Sequence, residues 1–224
     1  MQKNKKEIWK YLAMKELLIR ISTSILLIFA LYFAYISKEF FNFLIITIFL
    51  FSILEFANLI FKIKKKIIES YILIGLGLIY LIVVTFYLFS EIYYIKNIIF
   101  YFISICIATD IGGFTFGKIF KGKKLTKISP KKTFAGFYGS FIFSFLIMFI
   151  FGDYLNLNYF IIFILTVSVC LLSQFGDLLF SYLKRKAKVK DSGKLLPGHG
   201  GLLDRVDGMI ISVPINIFFY TLST

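Results

Sequence analysis

Asp204 and Asp207 stand three residues apart in the stretch LPGHGGLLDRVDG (196–208), where a glycine-rich turn runs into an apolar segment. On a helix this spacing turns both side chains to one face. A third carboxylate, Asp177, lies inside the apolar run containing QFGDLL, and the seven residues from it to Lys184 span about 10 Å of helix. Asp110, in ATDIGG, sits at a similar edge between apolar and polar sequence. Carboxylates that converge raise one another's pKa unless a cation neutralises them. A hard divalent ion does this well, and Mg²⁺ commonly takes one or two carboxylates together with water and substrate phosphates. The chemistry within reach of these residues is therefore phosphate handling around Asp177, Asp204 and Asp207. Helix capping is the competing reading of the Asp204/Asp207 pair, but capping does not account for Asp177 in mid-run.

The cationic residues fit the same chemistry. The segment GKIFKGKKLTKISPKKTFAG (117–136) carries seven lysines and ends in Ser129-Pro130-Lys131-Lys132-Thr133. A second basic segment supplies Lys184, Arg185, Lys190, Lys194 and Arg205 around glycines 193, 198, 200 and 201. Glycines let backbone N–H groups approach an anion closely, and helix starts after such turns attract phosphate. His199 is the single histidine, so no histidine metal cage is available; it can bind or protonate a phosphate oxygen, or serve the turn structurally. The lysines of 118–128 have an equally simple reading as topology and lipid contact.

These residues need elements to hold them, and the composition says which kind. The chain of 224 residues is 59% hydrophobic and 17% charged, with a mean hydropathy of +0.85. Soluble domains carry about a quarter charged residues. Apolar runs at roughly 18–36, 40–61, 70–89, 92–117, 134–151, 159–183 and 205–222 are each suited to crossing a ~30 Å hydrocarbon core as a helix. The expectation is an all-α polytopic membrane protein of about seven transmembrane helices with basic loops. Residues 1–104 read as a membrane-span scaffold and 105–224 as the catalytic region.

Alternating the connecting segments puts every Lys and Arg except Lys38 and Lys96 on one side. That side is cytoplasmic by the positive-inside rule, with the N-terminus in, which predicts a multi-pass protein of the cell inner membrane. The net charge of +14 is distributed between spans, so it points to anionic lipids and anionic substrates and not to nucleic acid. The first apolar run is read as a retained span, since no small-residue cleavage site follows it. Cys106 and Cys170 fall in separate apolar runs and read as core residues. All six glutamates precede residue 92 and all six aspartates follow residue 109. Among the glutamates only Glu55 lies mid-span, where function and hydrogen-bonded packing are both open.

The tract from Ser181 to Asp207, SYLKRKAKVKDSGKLLPGHGGLLDRVD, resembles the signature of the phosphatidate cytidylyltransferases, or CDP-diacylglycerol synthases. The tracts Asp110 to Gly117 and SPKKT (129–133) match that family in order and direction, so the resemblance covers about residues 105–210. It implies transfer of a cytidylyl group from CTP to phosphatidate, giving CDP-diacylglycerol and pyrophosphate, with Mg²⁺ and a second, monovalent cation such as K⁺. It also implies a homodimer. By matching position, Asp177, Asp204 and Asp207 are the metal residues. Lys132 and Arg205 join them as catalytic residues. Asp110, Ser129, Lys131, Lys132, Thr133, Lys184, Arg185, Lys190, His199, Gly200 and Gly201 are expected to contact substrate. Two positions depart from the family pattern, Ala135 and Phe180, where relatives usually carry an acid. Fewer spans precede the signature than is usual.

Two other readings stay open on the sequence. One is a CTP-using enzyme acting on another lipid, such as a polyprenol kinase or an archaeal-type lipid cytidylyltransferase. The other is a non-catalytic transporter or scaffold whose basic loops bind anionic headgroups.

Overall fold

The computed structural model describes residues 2–63, 67–126, 128–193, 195–198 and 200–223. Six α-helices carry the chain: α1 (Gln2–Ile36), α2 (Lys38–Lys62), α3 (Ile67–Phe120), α4 (Phe134–Phe151), α5 (Tyr159–Lys186) and α6 (Leu203–Ser223). Among the described residues no strand forms, and β pairing is limited to two isolated bridges. In hydrocarbon every backbone polar group has to be met internally, and helices do this within a single segment. Among the described residues five stretches can cross a membrane by length and composition: Leu17–Ile36, Lys38–Lys62, Ile95–Phe120, Phe134–Leu155 and Tyr159–Lys186. The protein is an all-α polytopic membrane protein, as its sequence predicts.

The third and fourth expected spans join in α3. The helix continues through residues 89–92, and its one non-helical residue is Ile95, at φ −120° and ψ 19°. Beside this break the Lys96 ammonium lies 4.7 Å from the centre of the Tyr35 ring, a cation–π contact that ties α3 to the end of α1. The third expected span shortens to the apolar stretch Tyr71–Phe86.

Phe102, Ile105, Val169, Cys170 and Ile217 are buried at the centre, where α3, α5 and α6 meet, and Cys106 joins them there as a free thiol. Large apolar side chains of α1 and of the outer faces of α2 to α5 are exposed, as lipid contact requires. Two crossings are unusually close. At α3 and α4 a methyl group on Gly136 would stand 2.6 Å from the Gly113 carbonyl oxygen, and one on Gly112 would strike the Gly139 carbonyl. At α5 and α6 a methyl on Gly176 would stand 2.8 Å from the Asp207 carbonyl oxygen, and one on Gly208 2.6 Å from Ser173 Oγ. Small residues at such crossings let helix backbones approach in a bilayer. Asp110, Asp177 and Asp207 each sit within two residues of one of these glycines. The crossings that close the bundle therefore also bring its carboxylates together.

Pro214 lies inside α6 and cannot donate to the carbonyl of Ile210 one turn earlier. The Tyr80 hydroxyl on α3 donates to that carbonyl at 2.5 Å, the kind of repair from a neighbouring helix that makes proline tolerable in a membrane helix. Tyr80→Phe is expected to leave the carbonyl unmet and to lower stability by about 1–3 kcal/mol. Thermal unfolding in detergent micelles measures this; an unchanged midpoint would mean that the bond contributes nothing.

Candidate functional site

Lys132 reaches the site from a short ordered turn. Its N–H donates to the Ser129 carbonyl at 3.0 Å, closing a turn with Pro130 at the second position, where its fixed φ is favourable. The Ser129 N–H donates to Thr126 Oγ1 at 3.2 Å. The turn returns on itself through Leu125 N–H to the Lys132 carbonyl at 2.8 Å and a bridge between Lys124 and Thr133. Thr133 then caps α4, its hydroxyl accepting from Gly136 N–H at 3.1 Å. The SPKKT turn thus presents Lys131 and Lys132 just before a helix start.

Across from it, α5 and α6 present the carboxylates. Asp177 pairs with the Lys132 ammonium and accepts from the Ser181 hydroxyl at 3.4 Å. The Lys184 ammonium bridges Asp204 Oδ1 at 2.8 Å and Asp207 Oδ2 at 3.5 Å, and its side chain is only 12% exposed. Asp204 Oδ2 accepts from the backbone N–H groups of Ser192 at 2.8 Å and Gly201 at 3.0 Å. Burial alone would raise the Asp204 pKa. The Lys184 hydrogen bond and charge, with those two backbone donors, hold it below the usual carboxylate range.

These groups open on one cleft of about 350 Å³, a volume within the ~300–1,000 Å³ of small-molecule sites. Asp110, Ser129, Lys131, Lys132, Thr133, Asp177, Asp204 and Asp207 all line it, drawn from α3, the SPKKT turn, α5 and α6. Lys184 stands behind the aspartate pair. Arg185 is exposed and donates to the Val189 carbonyl at 3.3 Å, away from the cleft lining. Lys190 is exposed and likewise absent from that lining, as is Arg205. The N–H groups of Gly200 and Gly201 are engaged inside the loop, to the Leu196 carbonyl and to Asp204. His199 and Lys194 lie outside the described residues. Phe180 is buried, and Ala135 is the second residue of α4.

Two residues at or near the centre went unremarked as site residues in the sequence. Gln174, one turn before Asp177 on α5, lines the cleft; only its i−3 spacing from Asp177 marked it. Glu55, on α2, holds the loop that leads into α6 through three hydrogen bonds, from Ser192 Oγ and from the N–H groups of Leu202 and Leu203. The hydrogen-bonded packing left open for it on the sequence is present. Capping at the start of α6 is thus shared, with Asp204 accepting from Gly201 N–H and Glu55 of α2 accepting from Leu202 and Leu203.

Among the described residues no three His, Cys, Asp or Glu side chains form a ready metal cage. The site instead offers carboxylate oxygens that hold two lysine ammoniums as cations. That donor set suits Mg²⁺, which keeps several waters and takes phosphate oxygens from its substrate, better than an ion needing an all-protein cage.

A cleft walled by helices, with carboxylates facing lysines at a helix start, has the charge pattern to hold phosphate groups. The profile of the cytidylyltransferase family matches residues 1–223, and the chain belongs to that family. It is 41% identical over 124 residues to a phosphatidate cytidylyltransferase of Rickettsia felis, covering 50% of this chain and 55% of the relative. Against the protein of that name from Staphylococcus haemolyticus it is 42% identical over 111 residues, 48% of this chain and 42% of the relative. Against that of Helicobacter pylori it is 39% identical over 120 residues, 53% and 45% respectively. The matched stretch spans about half the length of these curated relatives.

Proposed function

We propose that the protein transfers the cytidylyl group of CTP to phosphatidate, forming CDP-diacylglycerol and releasing pyrophosphate, at the cytoplasmic leaflet of the inner membrane. The observation that carries this reading is a cleft lined together by Lys131 and Lys132, just before α4, and by Asp177, Asp204 and Asp207. The names of the curated relatives support it. So does the basic character of the segments around the cleft, which by the positive-inside rule puts the site and the N-terminus on the cytoplasmic side.

In this reaction a phosphate oxygen of phosphatidate attacks the α-phosphorus of CTP, and the bond from that phosphorus to the oxygen bridging to the β-phosphate breaks. The bridging oxygen leaves with pyrophosphate, and no protein nucleophile is needed. The chain's task is to align two polyanions and neutralise their charge, which is where most catalysis of phosphoryl-type transfer lies. Asp177, Asp204 and Asp207 would hold Mg²⁺, which would supply charge neutralisation at the phosphates, with a second, monovalent ion such as K⁺ nearby. Lys132 then moves from the Asp177 carboxylate to phosphate, Lys131 beside it adds a second ammonium, and the positive end of the α4 dipole favours the same anion.

The purified chain in micelles, assayed for pyrophosphate release from CTP, is expected to require both phosphatidate and Mg²⁺. Release that does not depend on phosphatidate sinks the reading. Release with a polyprenol lipid in its place identifies a different acceptor.

A further inference from the structure

We propose that Glu55, on membrane helix α2, is a positioning residue of this catalytic centre: it fixes the loop and helix start from which Asp204 and Asp207 reach the cleft. The inference deepens the cytidylyltransferase reading and rests on it. Glu55 is only 7% exposed, and a carboxylic side chain buried in a bilayer is costly unless its oxygens are hydrogen-bonded. Here they are. Leu202 N–H donates to Oε1 at 3.1 Å, Leu203 N–H to Oε2 at 2.9 Å and Ser192 Oγ to Oε2 at 2.7 Å. The first amides of any helix lack partners within it, so this side chain decides where α6 begins.

Ser192 passes the constraint on. Its hydroxyl is held by Glu55, while its N–H is held by Asp204 Oδ2 at 2.8 Å. A displacement of Glu55 therefore moves a direct hydrogen-bond partner of Asp204. Two glycines record the closeness of this contact, because a methyl group on Gly193 or Gly201 would overlap the Glu55 carboxylate. Gly193 and Gly201 thus act as clearance for a side chain from another helix, whereas Gly198 and Gly200 are needed for their positive φ of 74° and 88°.

The test uses the full chain in phosphatidate-containing micelles, with Glu55→Ala and Glu55→Gln, and with Thr166→Val as a comparator that breaks the buried Tyr101–Thr166 bond instead. Two quantities are read: amide hydrogen exchange at Ser192, Leu202 and Leu203, and the Mg²⁺ concentration giving half-maximal pyrophosphate release. Glu55→Ala is expected to speed exchange at those amides and to raise the Mg²⁺ midpoint by about 10–100-fold, the usual effect of losing a residue that orients metal ligands. Glu55→Gln recovers only part of the shift, since its one carbonyl oxygen can take the place of Oε2 beneath Leu203 N–H and Ser192 Oγ, while its amide NH₂ then faces the Leu202 N–H. Thr166→Val lowers thermal stability and moves neither quantity. Should Glu55→Ala fail to insert, Gly201→Ala, which pushes on the same carboxylate, is expected to give the same shift. The proposal is overturned if exchange is unchanged and the midpoint moves by less than about two-fold, or if Thr166→Val moves it equally. A wild-type chain without lipid-dependent release would defeat the functional reading instead, and the exchange at these amides would still decide whether Glu55 holds the loop.

Discussion

Asp177→Asn is expected to lower phosphatidate-dependent pyrophosphate release on the order of 10³-fold, or about 4 kcal/mol of transition-state stabilisation, while the chain still inserts in the membrane. Asp177 faces the cleft on α5, directly after the glycine at the α5–α6 crossing, and its carboxylate holds the Lys132 ammonium. Asparagine preserves the shape and removes the charge. Lys132 then loses its partner across the cleft, and the proposed divalent ion would lose an anionic ligand. The substitution does not disturb packing, because Asp177 is partly exposed to the cleft and its side chain is 31% accessible. Turnover and insertion therefore separate: steady-state rates should collapse while membrane yield and thermal midpoint stay near the wild-type values. A turnover within ten-fold of the wild type would remove Asp177 from the proposed mechanism.

How much of this was legible in the sequence depends on the range of the interactions. Asp177 stood out because an aspartate inside an apolar run needs a partner, and Asp204 with Asp207 because their spacing is helical. Those are local signals, and they located three acidic residues that line one cleft. Lys132 and Thr133 were marked by a proline turn running into a helix start, again a matter of a few residues. Glu55 was visible only as an isolated carboxyl in a span. Its partners lie 137 to 148 positions away, so no pattern in either segment announces the contact. The distinction among the glycines was equally hidden, since Gly193 and Gly201 answer to Glu55 and not to their own turn. Arg185 and Lys190 show the converse limit. A charge count groups them with Lys184, but the end of α5 sends Lys184 inward and leaves Arg185 exposed. The number of spans was less legible still, because nothing in residues 89–92 forces a turn and α3 continues to its break at Ile95.

Lys184→Met tests the cation preference of the acidic wall without relying on turnover. In the wild type the Lys184 ammonium lies between Asp204 and Asp207 and is largely buried with them. Methionine fills similar volume and cannot neutralise either carboxylate. Removing one partner of a buried ion pair costs roughly 3–5 kcal/mol, because it leaves charge unmet. The metal-free variant is therefore expected to unfold well below the wild type in micelles. Added Mg²⁺ should reverse much of this loss, since a ligand that binds only the folded chain stabilises it by about 2.7 kcal/mol at a hundred times its Kd. The wild type, with an ammonium already at the pair, gains less from the same addition. The informative quantity is the difference between the two chains in their Mg²⁺-induced rise in unfolding temperature. A larger rise in Lys184→Met means that the aspartates accept a divalent ion where the ammonium stood. Equal rises, or none, would mean that Asp204 and Asp207 serve only to anchor Lys184 and the loop, and the metal would have to be sought on the Asp110 and Asp177 side of the cleft.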